Sequence, residues 1–306
     1  MSHHVALVAL AILWGPVAAS AQVVVPNDWQ RLSAALTRNA EIVSCAAQGS
    51  GALFNVAFDG ARLSATVLKE RSRRQDPVPY ELDWTAALTG ISGQPGAAGQ
   101  MAEWAVTYAR ERAERAVVPV DDGYLVGFGG GEYGGSLWWY PRQRGPGRLL
   151  ATAVVHEIIA TPTAGEFAVI TGLAHLDTNI AKALFIARSQ GEWRVQREVS
   201  LQGSPEVHVA RPDGILMADS SAVTFLPWSS DLRTLRRFSV RALSGSFAFG
   251  PAGQIAVGRS VVVSVLTPTS EGGYAEESYR PKECRKFSYW RGLICMCSGA
   301  PLPVAP

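Results

Sequence analysis

One layout recurs four times between residues 116 and 266, and it constrains the fold more than any other feature of the sequence. In each copy a short apolar run ends at or near a proline, a glycine follows two to four residues later, and a second apolar run begins there. Proline fixes φ and glycine admits positive φ, which suits a tight turn between two strands. Each copy therefore predicts a β-hairpin. The glycines are Gly123, Gly165, Gly214 and Gly253, at intervals of 42, 49 and 39 residues.

Further strands follow these hairpins. A third strand is predicted over 137–140, 183–187, 222–226 and 261–266. A fourth, more polar strand is predicted over 149–154, 193–200 and 232–240. Within 193–200 the residues on one side are apolar except Arg197. Four strands in 40–50 residues is the period of a β-propeller blade.

A diverged fifth copy begins near Cys45, where Gly51 precedes predicted strands at 52–58, 61–68 and 80–84. Gly51 lies 72 residues before Gly123, which is too far for one blade. The excess contains a predicted helix over 98–115, because its apolar residues recur at helical spacing. The sequence thus predicts an all-β propeller of about five four-stranded blades with one helical insertion. The alternative is a small N-terminal α+β domain followed by a four-bladed β array.

Two segments resemble known proteins. GGGEYGGSLWW at 129–139 and TGLAHL at 171–176 are similar to segments of exported bacterial propeller-type proteins of uncharacterised function. The resemblance covers about 121–283 and implies the fold and export, but it carries over no catalytic residue. The domain division that follows is a diverged first blade with the helical insertion, then four repeats, then a cysteine-containing tail. These units span 22–120, 121–283 and 284–306.

The N-terminus predicts a signal peptide over 1–21. Residues 5–13 form a short apolar run, and Ala19 and Ala21 occupy the positions of an A-x-A cleavage site. The departure from the pattern is the absence of Lys and Arg before the apolar run. We expect a secreted or periplasmic protein with no membrane span, because no later stretch is long and apolar enough. The net charge of +2 gives no nucleic-acid footprint.

Four cysteines are consistent with two disulfides in an exported chain. Three pairings are open, and the spacing fits no standard zinc motif, so no metal and no cofactor are predicted. The cysteines are Cys45, Cys284, Cys295 and Cys297.

The glycine-rich loop 127–135 is the first candidate site. A strand follows it, which excludes a dinucleotide fingerprint because that motif needs a helix there. The loop is interpreted either as a ligand-facing segment that presents Glu132 and Tyr133, or as a wide turn or bulge required by packing. Next to it, alternation directs Trp138 and Trp139 to opposite faces. One of the two is therefore a candidate platform for a sugar ring.

Candidate catalytic groups are Glu132, His175 and Asp177. His175 and Asp177 lie two residues apart and point the same way in an extended segment, so the carboxylate can orient the imidazole. The alternatives are that the two side chains share a metal ion, or that they bond to the backbone at a loop. His156, Glu157 and His208 lie in equivalent strands, and that repetition favours packing. No serine stands in a G-x-S-x-G elbow.

The sequence favours a binding or scaffold module that recognises a protein or glycan partner through loops on one face. The alternative is an extracytoplasmic hydrolase or lyase acting on polysaccharide, with Glu132 as the acid and Asp177 or His175 as the base. Residue patterns alone leave open whether the protein is an enzyme, and they do not give its oligomeric state.

Overall fold

The structure is a computed structural model that describes residues 22–32, 53–68, 75–77, 114–131, 134–175, 178–260, 262–282, 286–290 and 294–298. This part of the chain is all β, with no α-helix. The strands are β1(Trp29–Arg31), β2(Leu53–Asp59), β3(Arg62–Leu68), β4(Glu114–Val120), β5(Gly123–Gly129), β6(Gly135–Pro141), β7(Arg148–Thr152), β8(Val155–Ala160), β9(Glu166–His175), β10(Thr178–Ser189), β11(Glu192–Ser200), β12(Val207–Arg211), β13(Gly214–Ala218), β14(Ala222–Pro227), β15(Arg233–Arg237), β16(Ser244–Phe249), β17(Ile255–Arg259), β18(Val263–Pro268), β19(Tyr274–Pro281), β20(Lys286–Trp290) and β21(Ile294–Ser298).

Four antiparallel sheets follow one another along the chain. Sheet I contains β4–β7, sheet II β8–β11, sheet III β12–β15 and sheet IV β16–β19, each with its strands in sequence order. β1 adds to the outer edge of sheet IV by pairing with β19. β2–β3 and β20–β21 form separate hairpins. These sheets confirm the strands predicted for the four copies and the first hairpin of the diverged copy.

The sheets stack face to face in chain order. One apolar cluster contains Leu125 of sheet I and Val169 of sheet II, and further apolar clusters join sheet II to III and sheet III to IV. The β2–β3 hairpin covers the far face of sheet IV through Phe54 and Val56. The middle strands are therefore buried on both faces, as in β13, where every residue is buried. Among the described residues no apolar cluster joins the β2–β3 hairpin to sheet I, so the stack is not seen to close.

The two ends of the stack differ. One end carries the links between consecutive sheets, at 153–154, 201–206 and 238–243; we call it the connection end. The opposite end carries the proline–glycine turns at 161–165, 212–213 and 250–254, and we call it the turn end. The first strands β4 and β8 lie side by side, as do β12 and β16. Side chains at the starts of these strands therefore meet at the connection end.

Several predictions fall partly or wholly outside the described residues. The predicted strand over 80–84 lies outside them, as does the predicted helix except for its last two residues. Glu114 and Arg115 are the first residues of β4. No helix of the described part is long and apolar enough to cross a membrane. The domain division stays a prediction.

Candidate functional site

Two cavities open at the connection end, where sheets I and II separate. A smaller cleft of about 310 Å³ is lined from sheet I by Glu114, from sheet II by His156, and from the link between sheets II and III by Ser204 and Glu206. A larger groove of about 780 Å³ lies between β7 and the face of sheet II. Val154, Gly172 and Leu173 line both cavities.

The glycine-rich loop borders both cavities. Gly129 and Gly131 line the cleft, whereas Gly134 and Gly135 line the groove. The Gly130 N–H donates to the Gly134 carbonyl at 2.8 Å, and the Gly134 N–H donates to the Gly131 carbonyl at 3.0 Å. Both turn residues have positive φ, 59° at Gly131 and 93° at Gly134, which glycine adopts without strain. The loop thus places bare backbone next to both cavities.

Three side chains in the cleft form a connected line. His156 Nδ1 lies 3.4 Å from Glu114 Oε2, and His156 Nε2 lies 3.2 Å from Ser204 Oγ. His156 stands at a bulge, because the register of β8 against β9 shifts between Val155 and Glu157. A bulge re-aims a side chain, and here the imidazole spans from sheet I to the 201–206 link.

Ser204 is held in place from two sides. Its N–H donates to Asn179 Oδ1 at 2.7 Å. Gly172 packs against it so closely that a Cβ at that glycine would lie 2.5 Å from Ser204 Oγ. The residue is only 5% exposed, yet it lines the cleft. The hydroxyl is therefore fixed at the cleft wall next to the imidazole.

The rest of the cleft is part acidic and part apolar. Glu206 lies on its wall and accepts a hydrogen bond from the Ser244 N–H. Val154, Leu173 and Leu243 provide apolar surface. The cleft therefore suits a small ligand that has an apolar part and no negative charge.

The groove is mainly aliphatic. Ile180, at its rim, is 65% exposed, and Leu150, Leu184 and Val195 lie deeper. Its charged wall residues pair with each other, since Lys182 Nζ lies 2.7 Å from Glu198 Oε2. The described residues that line the groove include no aromatic side chain.

The predicted catalytic residues are only partly described. Glu132, Tyr133 and Asp177 lie outside the described residues. His175 is exposed at the end of β9, where it pairs with Thr178 of β10. It lies next to Ala174, which lines the cleft. The acid–base assignment to Glu132, His175 and Asp177 therefore stays a prediction.

The two tryptophans lie away from both cavities. Trp138 is 7% exposed, and its Nε1–H donates to Ser136 Oγ at 2.8 Å. Trp139 is half-buried, with its Nε1–H 3.3 Å from Asp122 Oδ1 and the Arg148 guanidinium 5.9 Å from its ring centroid. Their assignment to ligand binding stays a prediction, as does that of Tyr133.

The cysteine pairing also stays a prediction. Cys45 and Cys284 lie outside the described residues, and Cys295 and Cys297 lie two apart on β21, opposite Tyr289 and Phe287 of β20. In the described part of the chain no group of three or more His, Cys, Asp and Glu side chains is placed to hold a metal ion.

Glu114 and Ser204 are site residues that the sequence does not single out. Ser204 is 48 residues from His156 and Glu114 is 42 residues from it, so no local motif joins them. The one available signal was the pair Val155–His156, repeated as Val207–His208 at equivalent positions. That repeat marks the sheet junctions, which is where the cleft lies.

Comparison with protein-family models gave no match. Comparison with the curated proteins also gave no match.

Proposed function

We propose that the chain is an exported binding module of propeller type, and that its groove binds an extended, apolar segment of a protein partner. The groove of about 780 Å³ at the connection end is the observation that carries this proposal. Export is supported by the apolar N-terminal run and the A-x-A site.

The propeller architecture is supported by the order of the sheets. Four four-stranded meanders stack in chain order, and the β2–β3 hairpin stacks on the last of them. First strands lie next to first strands, as blades require around a central axis. In this arrangement the hairpin belongs to a fifth blade.

The edge of β7 supports an extended partner. The Ala153 N–H donates to the Gly135 carbonyl, so Thr152, the preceding residue, directs its backbone N–H away from β6. No described strand pairs with β7 on that side. A peptide can add there as a fifth strand, with alternate side chains against the wall of sheet II.

The lining favours a protein segment over a glycan. Sugar recognition in proteins commonly uses an aromatic platform, and the described lining of the groove is aliphatic instead. Lys182 and Glu198 form an ion pair, so the wall disfavours neither positively nor negatively charged ligands. Burying an apolar side chain against this wall stabilises the complex by about 0.8 kcal/mol per CH₂, so the wall favours apolar side chains.

A peptide library displayed on phage tests the proposal. We expect it to yield apolar, extended sequences, and Ile180→Glu should weaken the best of them about tenfold or more, because a charge replaces buried apolar surface. Val24→Glu is the matched control, since Val24 is also an exposed aliphatic residue, at 53%, and lines neither cavity. Titration calorimetry measures both affinities.

A second arm tests the pairing with β7. N-methylation along the selected peptide should abolish binding at alternate positions only, because alternate N–H groups face the edge of β7. Equal affinities for the Ile180→Glu and Val24→Glu variants would contradict the proposal. So would a glycan array that gives specific binding where the peptide library gives none.

A further inference from the structure

We infer that the cleft is a hydrolytic site in which Ser204 is the nucleophile, His156 the general base and Glu114 the residue that positions the imidazole, with short-chain, uncharged esters as substrates. The inference goes beyond the binding function of the groove and does not depend on it.

The geometry has the order that such a site requires. Ser204 Oγ lies 3.2 Å from His156 Nε2, at the outer limit of a nucleophile–base hydrogen bond. His156 Nδ1 lies 3.4 Å from Glu114 Oε2. With its proton on Nδ1, facing the carboxylate, the imidazole presents an unprotonated Nε2 to the hydroxyl. Such contacts are often longer before substrate binds.

The reaction balances without a cofactor. Ser204 Oγ attacks the acyl carbon of the ester as its proton passes to His156 Nε2, and the imidazolium is stabilised by Glu114. The tetrahedral intermediate then breaks its carbon–oxygen bond to the alcohol, which leaves with the proton from Nε2. Water attacks the acyl-serine as one of its protons passes to His156 Nε2. The second tetrahedral intermediate then breaks its bond to Ser204 Oγ, which takes the proton from Nε2, and the carboxylic acid leaves. The sum is ester plus water giving acid plus alcohol.

The cleft wall also contains glycine backbone, to which the inference assigns the charge that develops on the carbonyl oxygen. Backbone N–H groups stabilise such oxyanions in acyl transfer. Gly129 and Gly131 line the same cleft as Ser204. Glycine lets a backbone approach a ligand closely, because no side chain intervenes.

The cleft selects the substrate class. A volume of about 310 Å³ is at the lower end of ligand pockets, which favours a short acyl group. Val154, Leu173 and Leu243 supply apolar surface for that group. Glu114 and Glu206 repel anionic substrates, so an uncharged ester is preferred over one that carries a carboxylate or phosphate.

Covalent labelling and turnover test the inference in the purified protein. A fluorophosphonate probe should add to one serine, and peptide mass spectrometry should place the adduct on Ser204. With p-nitrophenyl esters, acetate should be hydrolysed faster than laurate. Ser204→Ala should abolish labelling and lower kcat/KM about a thousandfold, the scale of a lost nucleophile. Ser136→Ala is the matched control, because Ser136 is also a buried serine next to a ring nitrogen, and it should keep both signals.

The role of Glu114 has its own readout. Glu114→Gln should lower kcat about tenfold or more with a much smaller change in KM, because the role inferred for Glu114 is to position the imidazole. The melting temperature should stay nearly unchanged, because the side chain is partly exposed. Absence of labelling in the unmodified protein, or turnover that persists in Ser204→Ala, overturns the inference. Either result would make the three residues a structural link between the sheets. Peptide binding in the groove is measured separately and can succeed or fail independently.

Discussion

The junction between sheets I and II and the junction between sheets II and III use the same contact at the connection end. A glutamate on one first strand pairs with a histidine on the next: Glu114 with His156, and Glu157 with His208. Within the described part of the chain, the imidazole also contacts a serine hydroxyl at the first junction, that of Ser204, but not at the second. His156 lines the cleft, and His208 lines neither cavity. The paired acid and histidine therefore occur at both of these junctions, and the serine and the cleft distinguish the first of them.

At the turn end, the two junctions differ in the charged groups that connect the sheets. At the first junction the Asp122 carboxylate of sheet I accepts a hydrogen bond from Trp193 Nε1 of sheet II at 3.0 Å. At the second, the Arg197 guanidinium of sheet II donates to the carbonyls of Trp228 and Ser230 in sheet III, at 2.6 and 3.3 Å. It also lies 3.7 Å from the ring centroid of Phe185. The first junction also has a guanidinium contact, since Arg148 of sheet I donates to the Trp193 carbonyl at 2.9 Å. What distinguishes it from the second junction is the titratable carboxylate of Asp122.

The largest expected effect separates the two histidines. His156→Gln should lower ester hydrolysis on the order of a hundredfold, because the amide holds the position of the ring but cannot act as a base. His208→Gln should leave turnover within about twofold, and it makes the equivalent substitution at the equivalent junction. Steady-state kinetics with p-nitrophenyl acetate compares them, and urea unfolding checks that both variants are folded. Equal losses in the two variants would mean that the contacts act only on the packing of the sheets.

A smaller effect is expected from the second junction. Arg197→Met should lower the free energy of unfolding by about 2 kcal/mol, because it removes two hydrogen bonds from a charged donor and keeps most of the apolar volume. Arg194→Met, on the exposed side of the same strand, should stay within about 0.5 kcal/mol. Urea titration measures both. Equal changes would indicate that the carbonyl contacts of Arg197 contribute nothing net.

The four antiparallel four-stranded sheets were predictable from the sequence, because local residue patterns specify them. Strands repeat at short period, and turns carry their own residues, so the four meanders could be located without any long-range information. Arg197 illustrates the limit. It stood out as the one charged residue on the apolar side of its strand, but only the structure shows the carbonyls of sheet III that accept from it.

The turn argument predicts the four repeated glycines from their tolerance of positive φ. In the structure two of them have positive φ, and the other two allow a close approach of the backbone. Gly165 and Gly253 have φ of +75° and +76°, as the turn argument predicts. At Gly123 and Gly214 φ is not positive; there a Cβ would lie 2.0 Å from the carbonyl oxygen of Tyr140, or 2.3 Å from that of Leu226. Positive φ and close backbone approach both require glycine, so the sequence pattern cannot show which of the two applies at a given position.

The cleft could not be predicted, because its parts converge only through the stacking of sheets. His156 reaches Ser204 from a bulge, and the link that carries Ser204 is positioned by Asn179. A bulge changes the direction of one side chain without a clear sequence mark. Trp138 shows the converse: it was a candidate for sugar binding by residue type, and the structure places it at 7% exposure.

The smallest expected effect is a pH dependence: acid should reduce the contribution of the first junction to the free energy of unfolding and leave that of the second unchanged. Burial raises the pKa of Asp122, but the N–H groups of Trp193 and Trp139 and the Arg188 guanidinium outweigh it, so the pKa lies below its ordinary value. A carboxyl whose folded pKa is depressed stabilises the fold fully above its unfolded pKa, which is about 4 for aspartate. That contribution is lost as the pH falls through the lower folded value.

Asp122→Asn should therefore cost about 1 kcal/mol at pH 7, since a neutral acceptor keeps the indole contacts and loses the charge. The difference from the unmodified protein should shrink as the pH falls below about 4. The difference caused by Arg197→Met should stay constant over the same range, because a guanidinium does not titrate there. Asp121→Asn is the control, as the neighbouring exposed acid. The midpoints of urea unfolding at pH 7, 4 and 3 measure these differences. Parallel pH dependence in the Asp122 and Arg197 variants would show that the carboxylate charge does not stabilise the first junction.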